Sequence, residues 1–550
     1  MDDNRIFDKR LGKLIDADTP QLNRVLADGI ATTSLKHVVS DLDQLWRSAS
    51  DSFVPGLSYH GIRSCNPREI YMKMTASRKN SKRVYETSRS DVFMVKVLLK
   101  YFDEPLPDYY LWLPAPTDGG YIHLRGSQFA LSPILNDIVF SAANDNTIFV
   151  RLPRTRINFE RMQYVFSTNI YSQSDFLVDR ESVSLVHGKV HQSKEKPHVN
   201  ARSTIVHYLL GRYGFDETFQ RHLGFVPALG YDDINVANYP PEDWVICGTG
   251  GIRPKVCSKG SYRFSELRLA VPKEFWTQSA KNMIAGFFYI VDHFPERTNM
   301  QWIKYDKPQR IWRILLGMIT YQAGRNEENI DEKIIEHYKS LNHYIDSQAK
   351  DKLRAIGLDK INDFYELLWY IMESFDQKLL ESSRTLNSMY DKELNVNDFV
   401  MQDINNAIFL SVFNLTQRLN TKKSLTIKEV TAIFDRYLRA DLIFGINKPA
   451  HGEVTTQPIP NDNKALRLTL LLVPQSANDS KRNKKLNLLD PAIRYHPSIA
   501  EVGGYTVLPK SSPDGRRRLN NCVQIDSHYR IVRSEKFRKL LDHITELTQA

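Results

Sequence analysis

The sequence predicts a multidomain α+β protein, with twisted antiparallel sheet lobes followed by a helical region and a mixed C-terminal segment. Three observations predict it. Between 69 and about 190, runs rich in Val, Ile, Tyr and Phe are separated by Pro, Gly, Asn and Asp, which is the texture of strands and turns. From 278 to about 440, apolar residues recur with helical period. The chain has 550 residues, more than one compact core serves, and the usual length scale points to about three or four domains.

Residues 1–52 read as a short helical and irregular arm with few strong caps. Strands are predicted at Val92–Tyr101, Tyr109–Leu113, Tyr121–Leu124 and Thr147–Leu152. After the polar stretch His191–Asn200, Ala201–Leu223 reads as one helix ending near Gly224, and short strands return around Gly248–Gly251. Helical periods follow at Ile311–Tyr321, Ile330–Ile345, Phe364–Leu380 and Val400–Leu419. Thr426 and Glu429 have capping-box spacing, and Val430, Ile433, Phe434 and Tyr437 give the helix behind them a buried face. A last helix carries Phe537, Leu540, Leu541, Ile544 and Leu547 on one stripe, which reads as core or as a partner-docking face. These changes divide the chain into an arm at 1–52, a β-rich lobe at 53–199, an inserted mixed lobe at 200–277, a helical region at 278–421 and a basic mixed segment at 422–550.

Hydrophobic residues make up 42% of the chain and aromatics 11%, so it is globular and not disordered. The net charge of +10 favours a nucleic-acid or acidic-protein partner. Cys65, Cys247, Cys257 and Cys522 form no C-x-x-C pair, which suits a reducing compartment and argues against structural zinc. The longest apolar run, Met283–Val291, stops at Asp292, short of a membrane span. The N-terminus lacks the apolar core of a signal peptide, and a soluble, intracellular protein of the cytoplasm is expected.

Several chemistries are missing. There is no G-x-x-x-x-G-K-[ST] phosphate loop, no H-E-x-x-H zinc helix and no G-x-S-x-G nucleophile elbow. Gly248, Gly250 and Gly251 precede Pro254, which favours a tight turn over a cofactor loop. His187 and His191 are four apart with His198 beyond, yet Ser182–Leu185 alternates like a strand and no fourth ligand is evident, so facing solvent or phosphate is the better reading. Asp232 and Asp233 lack a third carboxylate at useful spacing. No N-A-D-F-D-G-D cluster, the three-carboxylate arrangement that holds catalytic magnesium in multisubunit RNA polymerases, is present; if the chain belongs to such a machine, the metal is on another chain. No catalytic or metal-binding residue is assigned.

The strongest chemical signal is near the C-terminus. His496–Asn521 is punctuated by Gly and Pro, and the turn Ser512-Pro513-Asp514-Gly515 leads into Arg516, Arg517 and Arg518. Lys481, Arg482, Lys484 and Lys485 form a second basic knot upstream, and Arg494 and Lys510 lie between. Together these nine residues are the candidate nucleic-acid contacts, because dense positive charge is what a polyanion groove requires. A solvated loop pair is the plain alternative.

Several ordered segments resemble the N-terminal half of the β subunit of multisubunit DNA-directed RNA polymerases, in the divergent form that large tailed phages encode in pieces. Gly120-Tyr121-Ile122-His123-Leu124-Arg125-Gly126, followed by Ser127–Pro133, is similar to a short hairpin of that family. Arg68–Lys73 and Lys82–Tyr85 read like strands leading into it. Ser424–Phe444 resembles the approach to the family's fork region, and Pro491–Asn521 the segment that runs along nucleic acid. The family's P-I-E-T-P-E-G signature has only Ser512-Pro513-Asp514-Gly515 as a distant echo. The resemblance covers about half the chain.

The resemblance implies a subunit that lines one side of the DNA cleft, touches DNA and the RNA–DNA hybrid, and contributes no catalytic carboxylate. It would work inside a nucleotidyltransferase complex, beside β-C-terminal-like and β′-like chains, with magnesium held by a partner and no cofactor of its own. Two further functions fit the same basic surface: a promoter-specificity subunit of such a polymerase, and a stand-alone DNA-binding replication or recombination factor. A virion or packaging protein is a more distant alternative.

Overall fold

The structure, a computed structural model, describes residues 25, 28–76, 92–117, 119–124, 127–131, 133–153, 156–170, 179–189, 203–230, 234, 238–249, 267–293, 309–321, 327–382, 388–422, 424–440, 456–457, 473–474, 496–502, 516–517, 519, 523–533 and 539. Antiparallel sheets and many helices make up an α+β fold. The residues gather into two compact units, each assembled from separated stretches of chain.

The first unit takes Met1–Ser141, Asp346–Gly357 and Thr385–Ala550. In its main sheet the strand Val92–Tyr101 pairs with Leu57–Ser64 on one side and with Tyr109–Pro114 on the other. Every second residue of the central strand, Val95, Val97, Leu99 and Tyr101, is buried, as the two-residue strand period demands. The helix Val38–Ser50 adds Val38, Leu42, Leu45 and Trp46 to the core, a stripe at i, i+4, i+7 and i+8. Trp46 stacks on Tyr59 with ring centroids 5.7 Å apart. The core continues through Val400, Met401, Ile404 and Ile408 of the helix Asn397–Lys422 and through Val430, Ile433 and Phe434 of the helix Ile427–Tyr437. The expected cap is present there: the Glu429 carboxylate accepts the Thr426 N–H and hydroxyl, each at 3.0 Å. Hydrogen bonds from Lys422 and Thr426 hold that carboxyl down to about 2.

Leu57–Ser64, inside the expected β-rich lobe, is a strand, and one feature departs from the sequence reading: Arg68–Lys73, read as strand, lies in the helix Pro67–Ala76. The cause is local. Asn66 Oδ1 accepts the Glu69 N–H at 2.8 Å, and Glu69 Oε2 accepts the Asn66 N–H at 2.8 Å. Pro67 occupies the first helical position, where its missing N–H costs nothing. Lys82–Tyr85 lies outside the described residues.

The second unit takes Ala142–Ile345 and Leu358–Arg384. Its sheet runs in the order Ala228–Gly230, Arg268–Pro272, Trp244–Gly248, Arg156–Thr168, Thr147–Arg151 and Phe140–Asn144, and Asp179–Lys189 also pairs with Arg156–Thr168. Strands of the 200–277 stretch and of the 140–189 stretch therefore share one sheet. Phe287 is the hub of the helical layer, with Phe288 at 5.3 Å, Phe215 at 5.4 Å and Trp312 at 5.4 Å between ring centroids. The apolar run Met283–Val291 is thus the buried centre of the helix Gln278–His293. Ala201–Leu223 is two helices, Ile205–Tyr213 and Phe215–Leu223. They are separated by Gly214, whose φ of 83° turns the chain where a side chain would strain it. Among the described residues no helix is long and apolar enough to cross a membrane.

Candidate nucleic-acid interface

Among the described residues, the C-terminal part of the first unit is threaded onto it through five two-residue strands. Thr456–Gln457 pairs with Leu131 and Ala130 of the hairpin formed by Tyr121–Leu124 and Ser127–Leu131. Val473–Pro474 pairs with Arg516–Arg517 and lies beside the strand Ile134–Asp137. Gln524–Ile525 pairs with Ile531–Val532. Such short ladders carry few hydrogen bonds, so burial must supply the hold. Ile499, Val502, Leu519, Val523, Ile525 and Ile531 all enter the core.

Polar contacts then set the orientation. At the turn after Ile525, Asp526 Oδ1 accepts the N–H groups of His528 at 2.8 Å and Arg530 at 2.9 Å. The Tyr529 carbonyl accepts the Leu394 N–H at 2.8 Å, and Arg530 Nη2 donates to the Ala355 carbonyl at 3.0 Å. Ser498 Oγ accepts the Met389 N–H at 2.8 Å. Glu501 accepts hydrogen bonds from the Tyr390 hydroxyl and from Arg533, whose guanidinium lies 5.3 Å from the Tyr390 ring centroid. Burial alone would push the Glu501 carboxyl up, but the bonds from Arg533 and Tyr390 outweigh it and hold it below the usual carboxylate range. Burial and the Glu501 contact push the Tyr390 phenol up to about 12.

Beneath these strands lies an ionic framework that the sequence reading missed. The strand Lys392–Asn395 pairs antiparallel with Ile134–Asp137, and Lys392 Nζ donates to Asp137 across it. Glu393 accepts from Lys352 of the helix Ser347–Arg354. Asp346 caps that helix, accepting the Ala349 N–H at 2.9 Å, and its second oxygen accepts Asn405 Nδ2 at 2.7 Å. The strand Lys392–Asn395 is mostly buried although two of its four residues are charged, and its pairing is what buries them.

The hairpin that carries the family-like pattern is fixed from behind. Gly119 donates its N–H to the Asp28 carbonyl at 2.8 Å, and the Gly120 N–H reaches Thr32 Oγ1 at 3.1 Å. A Cβ on Gly29 would fall 2.3 Å from Gly119 C and from Gly120 N, so two backbones touch where only glycine fits.

Of the nine candidate contacts, Arg516 and Arg517 form the strand paired with Val473–Pro474. Lys481, Arg482, Lys484, Lys485, Arg494, Lys510 and Arg518 lie outside the described residues, as do Arg125 and Gly126 of the hairpin, Asp232 and Asp233, Gly250 and Gly251, His191 and His198, and all of the C-terminal stripe. His187 falls in the strand Asp179–Lys189. Among the described residues no group of three or more His, Cys, Asp or Glu could hold a metal ion.

Comparison with curated proteins finds no match. The family model described as non-virion RNA polymerase subunit matches residues 20–526, which takes in the β-rich stretch, the helical region and the C-terminal strands up to Gln524–Ile525. With nearly its whole length matched, the chain belongs to the non-virion RNA polymerase subunit family.

Proposed function

We propose that this chain is a β-like N-terminal subunit of a phage multisubunit DNA-directed RNA polymerase, lining the DNA cleft and holding phosphates of DNA and of the RNA–DNA hybrid. The observation that carries this reading is the Val473–Pro474/Arg516–Arg517 ladder. In the sequence, Lys481–Lys485 begins seven residues beyond Pro474, and the Arg triplet starts on the strand paired with it. A polyanion gains from dense positive charge, since each neutralised phosphate releases counterions. The other subunits of the polymerase are the partners, and the catalytic magnesium belongs to one of them.

The test is the R516A/R517A/R518A variant, assembled with the other subunits and assayed for transcription and DNA binding over a salt series. The proposal expects binding to weaken on all sequences alike and the salt slope to fall by about one per lost contact. Transcription equal to the parent at every salt concentration removes the phosphate role. Loss confined to promoter DNA reassigns the chain to promoter specificity.

A further inference from the structure

The helix Ile427–Tyr437 carries two charges that its own stability opposes. Lys428 stands in its first turn and Asp435 in its last, whereas the helix macrodipole favours an anion at the start and a cation at the end. Both residues are exposed, and neither makes an ion pair or a hydrogen bond among the described residues. They are seven positions apart, two turns or about 10 Å, so they share one face without reaching each other. Thr431 and Ala432 lie between them on that face, and Pro105-Leu106-Pro107, at the edge of the first unit's main sheet, lies across from it. With Ile427 these residues line an open groove of about 560 Å³, a size typical of ligand sites. The short side chains at 431 and 432 let a partner's backbone come close.

The rim decides what shape of partner can enter. Leu106 donates its N–H to the Leu99 carbonyl at 2.9 Å, and Pro105 and Pro107 have none to donate. Three successive backbone positions thus offer no donor to an added strand, which removes the main-chain ladder that sheet extension relies on. A helix satisfies its own backbone and docks through side chains. We propose that the groove seats an amphipathic helix of another polymerase subunit, its apolar side on Leu106, Ile427 and Ala432, a carboxylate facing Lys428 and a cation two turns away facing Asp435. This inference rests on the chain being a polymerase subunit and is independent of the phosphate role of 481–518. Charges that weaken the lone helix become favourable once a partner supplies their complements, and they fix the direction in which the partner helix runs. A nucleic-acid strand would be drawn to Lys428 but repelled by Asp435.

The test co-expresses the full chain with the other polymerase subunits. One variant carries a benzoylphenylalanine photo-crosslinker in place of Ala432, and two others reverse a charge, Lys428→Glu and Asp435→Lys. Irradiation is expected to join position 432 to a helical segment of another polymerase subunit, mapped by mass spectrometry. Each reversal is expected to weaken retention of that subunit about tenfold, since a like-charge contact replaces an attraction. Reversing the partner's facing charge as well restores it. In both variants the thermal midpoint of the full chain alone stays at or above the parent's, because each new charge suits the helix dipole. Lost assembly therefore cannot come from unfolding.

Retention within about twofold of the parent in both reversals overturns the proposal and leaves the subunit reading intact. So does a crosslink to a second copy of this chain, or none at all. A parent chain that co-purifies with no polymerase subunit overturns both readings.

Discussion

Lys392 and Asp137 stand opposite each other on two antiparallel strands and close an ion pair whose side chains are 3% and 10% exposed. The two residues are 255 positions apart in the chain. Their contact joins the strand before the helix Asn397–Lys422 to the strand beside which Val473–Pro474 runs.

Breaking this pair from one side is expected to be costly. Lys392→Met leaves a buried carboxylate without its counter-charge, and the first unit should lose about 3–5 kcal/mol in urea unfolding. The Lys392→Met/Asp137→Leu double variant should recover most of that loss, since the desolvation of both charges disappears together. A double variant as unstable as the single one would mean that the pair's other hydrogen bonds dominate.

Asp346 serves two partners at once, the Ala349 N–H and the Asn405 amide. Asp346→Ala removes a helix cap and strands a buried amide, for a combined loss of about 2–4 kcal/mol. Asp346→Asn, which keeps an acceptor for the cap, should lose about half as much. Denaturant midpoints of the two variants decide this.

Gly29→Ala should be among the most damaging small changes in the chain. It forces a side chain onto a backbone with φ of 91° and drives its Cβ into Gly119 and Gly120, which cannot move aside as a flexible side chain would. A loss above about 3 kcal/mol is expected, with faster proteolysis of the 117–131 hairpin region as the local readout. A variant that melts with the parent would show that the hairpin is not held from behind.

In the second unit, His222 makes stability depend on pH. Its ring stacks on Trp369 at 4.9 Å, meets Ser279 Oγ at 2.8 Å, and burial lowers its pKa from 6.5 to about 4. The nearby Glu373 is 62% exposed and its Oε1 lies 3.5 Å away, so water screens the attraction and burial wins. The unfolded chain takes up the proton at higher pH than the folded one. The contribution is therefore complete above about pH 6.5, lost as pH falls, and gone below about pH 4. The loss amounts to about 3 kcal/mol at most. His222→Phe should flatten the unfolding free energy across that window, and an unchanged pH profile would place the titration elsewhere.

Much of the fold was legible because its elements are locally encoded. The strands Val92–Tyr101 and Tyr109–Pro114 are rich in β-branched and aromatic residues between turn residues, the helix Phe364–Glu381 keeps its period, and Thr426 with Glu429 announces a helix start. Misreadings came where a short local device outweighed texture. Asn66 with Glu69 and Pro67 turned an apparent strand into a helix, and Gly214 split one helix into two. Of the candidate interface, the cationic runs were readable as charge density. The ionic framework of the first unit was not, because Lys392 and Glu393 carry no sign of the strand 255 residues earlier that buries Lys392 against Asp137.

The sequence by itself determined the α+β class, many of the strands and helices and the family to which nearly the whole chain belongs, since these rest on periodicity, capping and residue identity along the chain. Only the tertiary structure decided that 346–357 joins the unit built from the two ends of the chain, that five two-residue strands hold the C-terminal segment, and that Val473–Pro474 meets Arg516–Arg517. Pairings across tens to hundreds of residues depend on buried partners and on backbones that must satisfy each other's hydrogen bonds, and no local pattern records which distant stretch will supply them.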